Sequence, residues 1–132
     1  MKYYNKKKVD VRGSLSYGSG CSVDINVIFE GKVLLGDNVT IGSNCIIKDS
    51  VIGNNTFIKP FTHIEESLIN EQCNIGPYAN LRKGSNIGSN TSIGNFVEIK
   101  DSYIGQNCKV NHLSFIGDAI LEENVTIGAS TI

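Results

Sequence analysis

A hydrophobic residue returns every sixth position, and at set intervals every fifth, from Val11 to Ile127. The series begins Val11, Tyr17, Val23, Phe29, Leu35, Ile41 and Ile47, and runs on through Ile52, Ile58 and Ile64 to Leu121 and Ile127. An α-helix needs an apolar period near 3.6 and a half-buried strand a period of 2, so neither fits a six-residue return. A solenoid with three flat sides per coil does. The five-residue steps follow Ile47, Ile64, Ile99 and Ile116, which marks these as the third side of successive coils. Coils then start at 17, 35, 52, 69, 87, 104 and 121.

Three residues after the repeat position stand Gly20, Asn26, Asn38, Asn44, Asn55, Gly84, Asn90, Asn107 and Asn124. Gly and Asn best tolerate positive φ, so these are expected corners. The fourth position holds small residues, among them Val27, Thr56, Ala79 and all four cysteines, Cys21, Cys45, Cys73 and Cys108. Their spacing matches no zinc pattern, so the cysteines read as small core residues with free thiols. The fold class is all-β: a parallel β-helix of six to seven triangular coils stacked about 4.8 Å apart. Left-handed winding is the known habit of hexapeptide prisms, against the usual right-handed crossover.

At 132 residues the repeat fills nearly the whole chain, giving a tail over 1–10 and one domain over 11–132 that ends mid-coil. Net charge is −1, and Lys6, Lys7 and Lys8 form the sole basic run, so nucleic acid and membrane are not expected partners. No stretch resembles a membrane span or a secretory signal, and a cytoplasmic location is expected.

Residues of equal phase form vertical columns. On the second side the corner position holds Phe61, Tyr78, Phe96 and Leu113 in place of Asn or Gly, preceded by Pro60, Pro77, Asn95 and His112. Four large side chains on an outward corner make an exposed apolar stripe unless they cover one another, and the stripe predicts a homo-oligomer, most simply a cyclic trimer. A second column, expected at the start of the third side, reads Lys48, Glu65, Arg82, Lys100 and Gly117. Arg82 and Lys100 are successive rungs with no acid between them in that column. They suit a phosphorylated ligand, or else form a solvated pair neutralised by Glu98 or Asp101. His112 lies one coil above Lys100 toward the same edge, where an imidazole could take a proton from a nucleophile. His63 reads as solvated or structural, and no metal site is expected.

The runs VRGSLSYGSGCSVDINVIFEG at 11–31, IGPYANLRKGS at 75–85 and IGNFVEIKDSYIGQNCKVNHLSFIGDA at 93–119 resemble one bacterial family. It is the bifunctional N-acetylglucosamine-1-phosphate uridylyltransferase and glucosamine-1-phosphate N-acetyltransferase, through its C-terminal β-helix domain. The resemblance implies a homotrimer that transfers acetyl from acetyl-CoA to the amine of glucosamine 1-phosphate, toward UDP-N-acetylglucosamine and the cell envelope. It places Arg82 and Lys100 on sugar-phosphate ligands, His112 on the general base and Ala129 on a backbone contact to acetyl-CoA. Phe115 stands where the family usually has a sugar-binding Tyr, and Thr126 where it has a ligand-binding Asn. Ser130 replaces a common Gly. The chain ends at Ile132, before the family's Asn-Tyr-Asp-Gly loop and later coils, and carries no uridylyltransferase domain. The expectation is therefore a truncated domain that keeps the sugar-phosphate half-site with little or no turnover alone. The alternative is a non-catalytic trimeric scaffold. Ice binding is disfavoured because the threonines do not align on one outward face. A metal-dependent hydratase is disfavoured by two histidines on different coils.

Overall fold

A computed structural model describes all residues, Met1–Ile132. The chain is a left-handed parallel β-helix built from twenty short strands. Face 1 carries Val51–Ile52, Leu68–Ile69, Ser85–Ile87, Ser102–Ile104 and Ile120–Leu121. Face 2 is an eight-stranded stack from Lys2–Tyr3 to Thr126–Ile127. Face 3 carries Ile46–Lys48, His63–Glu65, Asn80–Leu81, Val97–Lys100 and Ser114–Gly117. Every strand pair is parallel and the repeat residues are in register, as in Ile47 to Ile64 to Leu81 to Ile99 to Ile116 on face 3.

One periodic apolar column per face makes the core. Ile47, Ile52, Ile58, Ile64, Ile69, Ile75, Leu81 and Ile87 are fully buried, with Phe29 the one aromatic ring among them. The fourth-position residues fill the space beside the corners, as their small volume requires. Thr56, Thr91, Ser67 and Ser85 hydroxyls donate to backbone carbonyls of the coil above, which satisfies polar atoms inside an apolar stack.

The expected corners hold. Asn26, Asn38, Asn44, Asn55, Asn90, Asn107 and Asn124 all have φ between 56° and 61°. Nine-residue strands Val9–Tyr17 and Val27–Leu35 round the corner from face 3 to face 1 without a break. This needs Gly13, whose Cβ would stand 2.2 Å from the Gly31 carbonyl oxygen.

Three expectations change. On the short third side the corner falls two residues after the repeat position, at Asp49, Glu66, Asp101 and Asp118, with φ between 44° and 51°. The Lys48 to Gly117 column therefore closes face 3 and does not open it. Val11 and Tyr17 keep the register yet are each 46% exposed, because the strand carrying them pairs on one side alone. Residues 1–10, expected as a tail, continue the stack. Lys2–Tyr3 pairs with Ser22–Val23, and Asn5 caps a single 3₁₀ turn at Lys6–Lys8 through its side chain.

All four thiols are free and buried. Burial pushes Cys45 up to about 11 and raises Cys73 as well, with backbone hydrogen bonds opposing the shift. The thiolate is the reactive form, so folded chain is expected to resist thiol reagents at neutral pH and to label fully in denaturant. The pH effect has a definite sign. Unfolded Cys45 loses its proton near 9.0 and folded Cys45 near 11, so between these values the unfolded state holds fewer protons and stability falls as pH rises. Urea midpoints measured from pH 8 to 11 check this.

Candidate functional site

Face 3 presents two outward columns. Ile46, His63, Asn80, Glu98 and Phe115 form the first, and Glu30, Lys48, Glu65, Arg82, Lys100 and Gly117 the second. Arg82 and Lys100 are adjacent rungs, since Leu81 pairs with Ile99 and the Arg82 amide donates to the Ile99 carbonyl at 2.8 Å. Each cation already has a partner. Arg82 Nη1 lies 2.9 Å from Glu98 Oε2 and Lys100 Nζ 4.0 Å from Asp101 Oδ2. The neutralised arrangement is thus the one in the structure. Those side chains are 38–47% exposed, and such surface pairs are worth about 0.2–1 kcal/mol. Charge-assisted hydrogen bonds to an anion, about 1.5–3 kcal/mol, outweigh them.

Phe115 is the next rung after Glu98, and Gly117 the next after Lys100. The Phe115 ring folds along the strand over Gly117, with Cε1 2.7 Å from where a Cβ would stand. Gly117 therefore does more than end a cationic column. It lets an aromatic surface lie directly above Lys100.

His112 is exposed and is the last residue of face 2 before the corner at Leu113, φ 56°. Ala129 stands one rung above it, because Val110 pairs with Ile127 and the two segments continue in step beyond their strands, where the Asn111 amide donates to the Ile127 carbonyl and the Ser130 amide to the His112 carbonyl. Thr126 lies further back on face 2, paired with Lys109. Ser130, φ 64°, continues the corner column, which explains why Gly is the easier residue there.

The structure thus brings Arg82, Lys100 and Phe115 together on face 3, with Glu98 beside them. It does not bring His112 to the same end. The four-residue strand Val97–Lys100 separates the corner beside His112 from Lys100, a span of about 10–13 Å. Sequence reasoning placed His112 and the cations at one edge because it put the cationic column at the wrong end of a short side. Glu98 it counted as a neutralising acid alone. Its central place was legible from its position two residues before Lys100, on the same outward parity. His63 is exposed on face 3 and shares no cluster of three metal-ligating side chains.

At the corner between faces 2 and 3, Phe61, Tyr78, Phe96 and Leu113 are 48–54% exposed. Phe61 and Tyr78 stack at 5.0 Å and Tyr78 and Phe96 at 5.3 Å. The rings cover one another's faces and still leave a ladder of exposed edges.

The family described as GMPPB C-terminal domain matches residues 11–86, more than half of the chain. The chain belongs to that family. It is also 47% identical over 125 residues, 95% of its length, to the bifunctional protein GlmU of Azoarcus sp. (strain BH72). It spans 28% of the length of that relative and of the similar GlmU proteins it matches. Among solved structures, the H141A mutant of GDP-perosamine N-acetyl transferase from Caulobacter crescentus, in complex with CoA and GDP-perosamine, is 18% identical. It superposes with a TM-score of 0.62 over 97% of this chain and 54% of the other. The acetyltransferase domain of PglB from Neisseria gonorrhoeae FA1090, in complex with acetyl coenzyme A, gives 0.55 at 18% identity over 90% and 50%. These two likenesses establish the fold.

Proposed function

We propose that the chain is an acetyltransferase domain, or a segment of one, that holds a sugar phosphate on Arg82 and Lys100 and works as a homotrimer. The observation that carries this is the pair of adjacent cationic rungs beneath the Phe115 ring, on a chain so close in sequence to GlmU proteins.

The trimer follows from shape. In one chain the candidate residues wrap around a convex edge, Arg82, Lys100 and Phe115 on face 3, His112 and Ala129 at the corner, Thr126 on face 2. A convex edge cannot enclose a ligand. If the corner ladder lies at a threefold axis, face 3 of one copy confronts face 2 of the next, and all six residues line one cleft between subunits. Energetics point the same way. Bulky residues at positive φ cost about 1–2 kcal/mol each, about 4–8 for the four at this corner. Two stacked pairs return about 1–3 kcal/mol. Strain kept at an exposed corner needs a further stabilising contact, which burial against other copies supplies.

In the reaction assigned here, glucosamine 1-phosphate is held by its phosphate on Arg82 and Lys100, and its ring rests on Phe115. His112 accepts the proton that the amine loses as nitrogen attacks the thioester carbonyl of acetyl-CoA. The carbon–sulfur bond breaks, and the CoA thiolate leaves and takes up a proton. Thr126 and the Ala129 backbone supply contacts across the cleft. Of these residues Ala129 alone faces the coenzyme, so we expect the 132-residue chain to bind the sugar phosphate and turn over little or not at all by itself. Four buried free thiols accord with a reducing compartment, and we place the protein in the cytoplasm.

Calorimetric titration with glucosamine 1-phosphate tests the assignment. Loss of a bidentate charged contact at about 1.5–3 kcal/mol makes Arg82→Ala at least tenfold weaker than the unaltered chain. Equal affinities would remove Arg82 from the site. If acetyl transfer is measurable, His112→Ala abolishes it without weakening sugar-phosphate binding to the same extent. A second reading, a non-catalytic trimeric scaffold, draws on the ion pairs that Arg82 and Lys100 already make. An intact trimer that ignores the sugar phosphate would favour it.

A further inference from the structure

Face 1 carries an apolar ladder that the assignment above does not use. Leu34, Val51, Leu68, Asn86, Tyr103 and Ile120 are successive rungs in strict register on its outward side. Five are large hydrophobic residues, each at least 36% exposed, and Ile120 reaches 79%. Isolated exposed hydrophobics are ordinary, but five aligned in register on a flat sheet face, interrupted once by Asn86, make a contact surface. Shallow recesses lie along it, one between Val51 and Leu68 and one among Asn86, Tyr103 and Ile120.

Carboxylates border the ladder on both sides. Asp49, Glu66, Asp101 and Asp118 occupy the corner from face 3, all exposed. Five residues on, across a width of about 16 Å, stand exposed Glu71 and Glu123. Of these six acids Asp101 alone makes an ion pair. Exposed Lys32 and Lys83 also stand at the corner from face 3, so acids outnumber cations along the borders six to two while the whole chain carries a net charge of −1.

The charge decides between occupants. A second copy docked face to face would oppose acid to acid, and anionic lipid would be repelled. An amphipathic helix whose apolar stripe is flanked on both sides by Lys or Arg satisfies both features. Six rungs span about 24 Å, the length of a helix of about sixteen residues. Its diameter of about 10–12 Å fits between the acidic borders.

We propose that face 1 is a docking surface for a cationic amphipathic helix of about four turns, laid along the solenoid axis. It rests on the trimer reading in one respect, that faces 2 and 3 turn inward and face 1 stays outward.

The test uses the 132-residue chain and a fluorescein-labelled sixteen-residue peptide with leucines on one stripe and lysines on both flanks. Expected are one peptide bound per chain, weakening about tenfold or more when salt rises from about 0.05 to 0.5 M, and a loss of about tenfold or more in the double variant Leu68→Ser, Tyr103→Ser. Both sites are exposed, so the fold survives. Phe57→Ser, an exposed apolar change on face 2, leaves binding unaltered. No binding, equal binding of a scrambled peptide, or an unaffected double variant would each overturn the proposal. So would peptide-independent self-association abolished by the double variant, which would assign the face to a second copy. Tyr78→Glu, directed at the trimer, binds peptide as the unaltered chain does, so the two readings fail separately.

Discussion

Ile64→Asp is expected to abolish cooperative folding. Ile64 is fully buried at mid-stack, in register with Ile47 below and Leu81 above, and the buried polar residues of the stack, Thr62 nearest along the chain, are Ser and Thr alone, so no cation lies inside to pair a carboxylate. Two costs add. Removing the isoleucine side chain from a core typically costs about 2–5 kcal/mol. Burying an unpaired carboxylate adds several more, even if the group becomes protonated. Their sum approaches or exceeds the total stability of a domain, about 5–15 kcal/mol. Ile64→Ala isolates the first cost. It should lower the urea midpoint and keep a single transition, whereas Ile64→Asp should give no sheet signal by circular dichroism. A folded Ile64→Asp chain of unaltered midpoint would contradict the stacked core. A solenoid is vulnerable here because each coil is stabilised mainly by its neighbours, so a break in one rung severs the stack.

Tyr78→Glu is expected to convert the proposed trimer to monomer. Tyr78 is the middle ring of the ladder, stacked on Phe61 and on Phe96, and 49% exposed in the single chain. At a threefold axis the substitution would place three carboxylates close together in an apolar setting. Desolvation and mutual repulsion then act together, enough to shift association by a factor of a hundred or more, about 2.7 kcal/mol. Sedimentation at several concentrations reads the outcome. The isolated fold should keep its circular dichroism, since the side chain stands outside the core. Glucosamine 1-phosphate binding should fall with the trimer if the cleft lies between copies. A trimer that persists in Tyr78→Glu would move the interface elsewhere and leave His112 and Thr126 without a cleft to share with Arg82.

What the sequence could reveal, and what it could not, divides along a physical line. From Val23 to Ile116 the buried columns were legible residue by residue, because a narrow interior admits one large apolar side chain per face and a small one beside each corner. Asn and Gly corners were legible too, since few other residues accept positive φ at low cost. The ladder of Phe61, Tyr78, Phe96 and Leu113 stood out as a departure from that same rule. Phase alone misplaced features where periodicity has no reference. It put the cationic column at the start of the short third side, when the corner at Asp101 makes Lys100 the last residue of a four-residue strand. It took residues 1–10 for a tail because a lone two-residue strand at Lys2–Tyr3 contains no repeat to detect.

The stack, its three faces and which side chains point in are written in the order of residues alone, because each of these is dictated locally by side-chain volume and backbone φ. How outward residues from different coils meet emerges in the folded chain: Arg82 with Glu98, the Phe115 ring over Gly117, His112 across the width of a face from Lys100. Such contacts depend on where a corner falls and on strand width, quantities of a few ångströms that a periodic pattern does not encode.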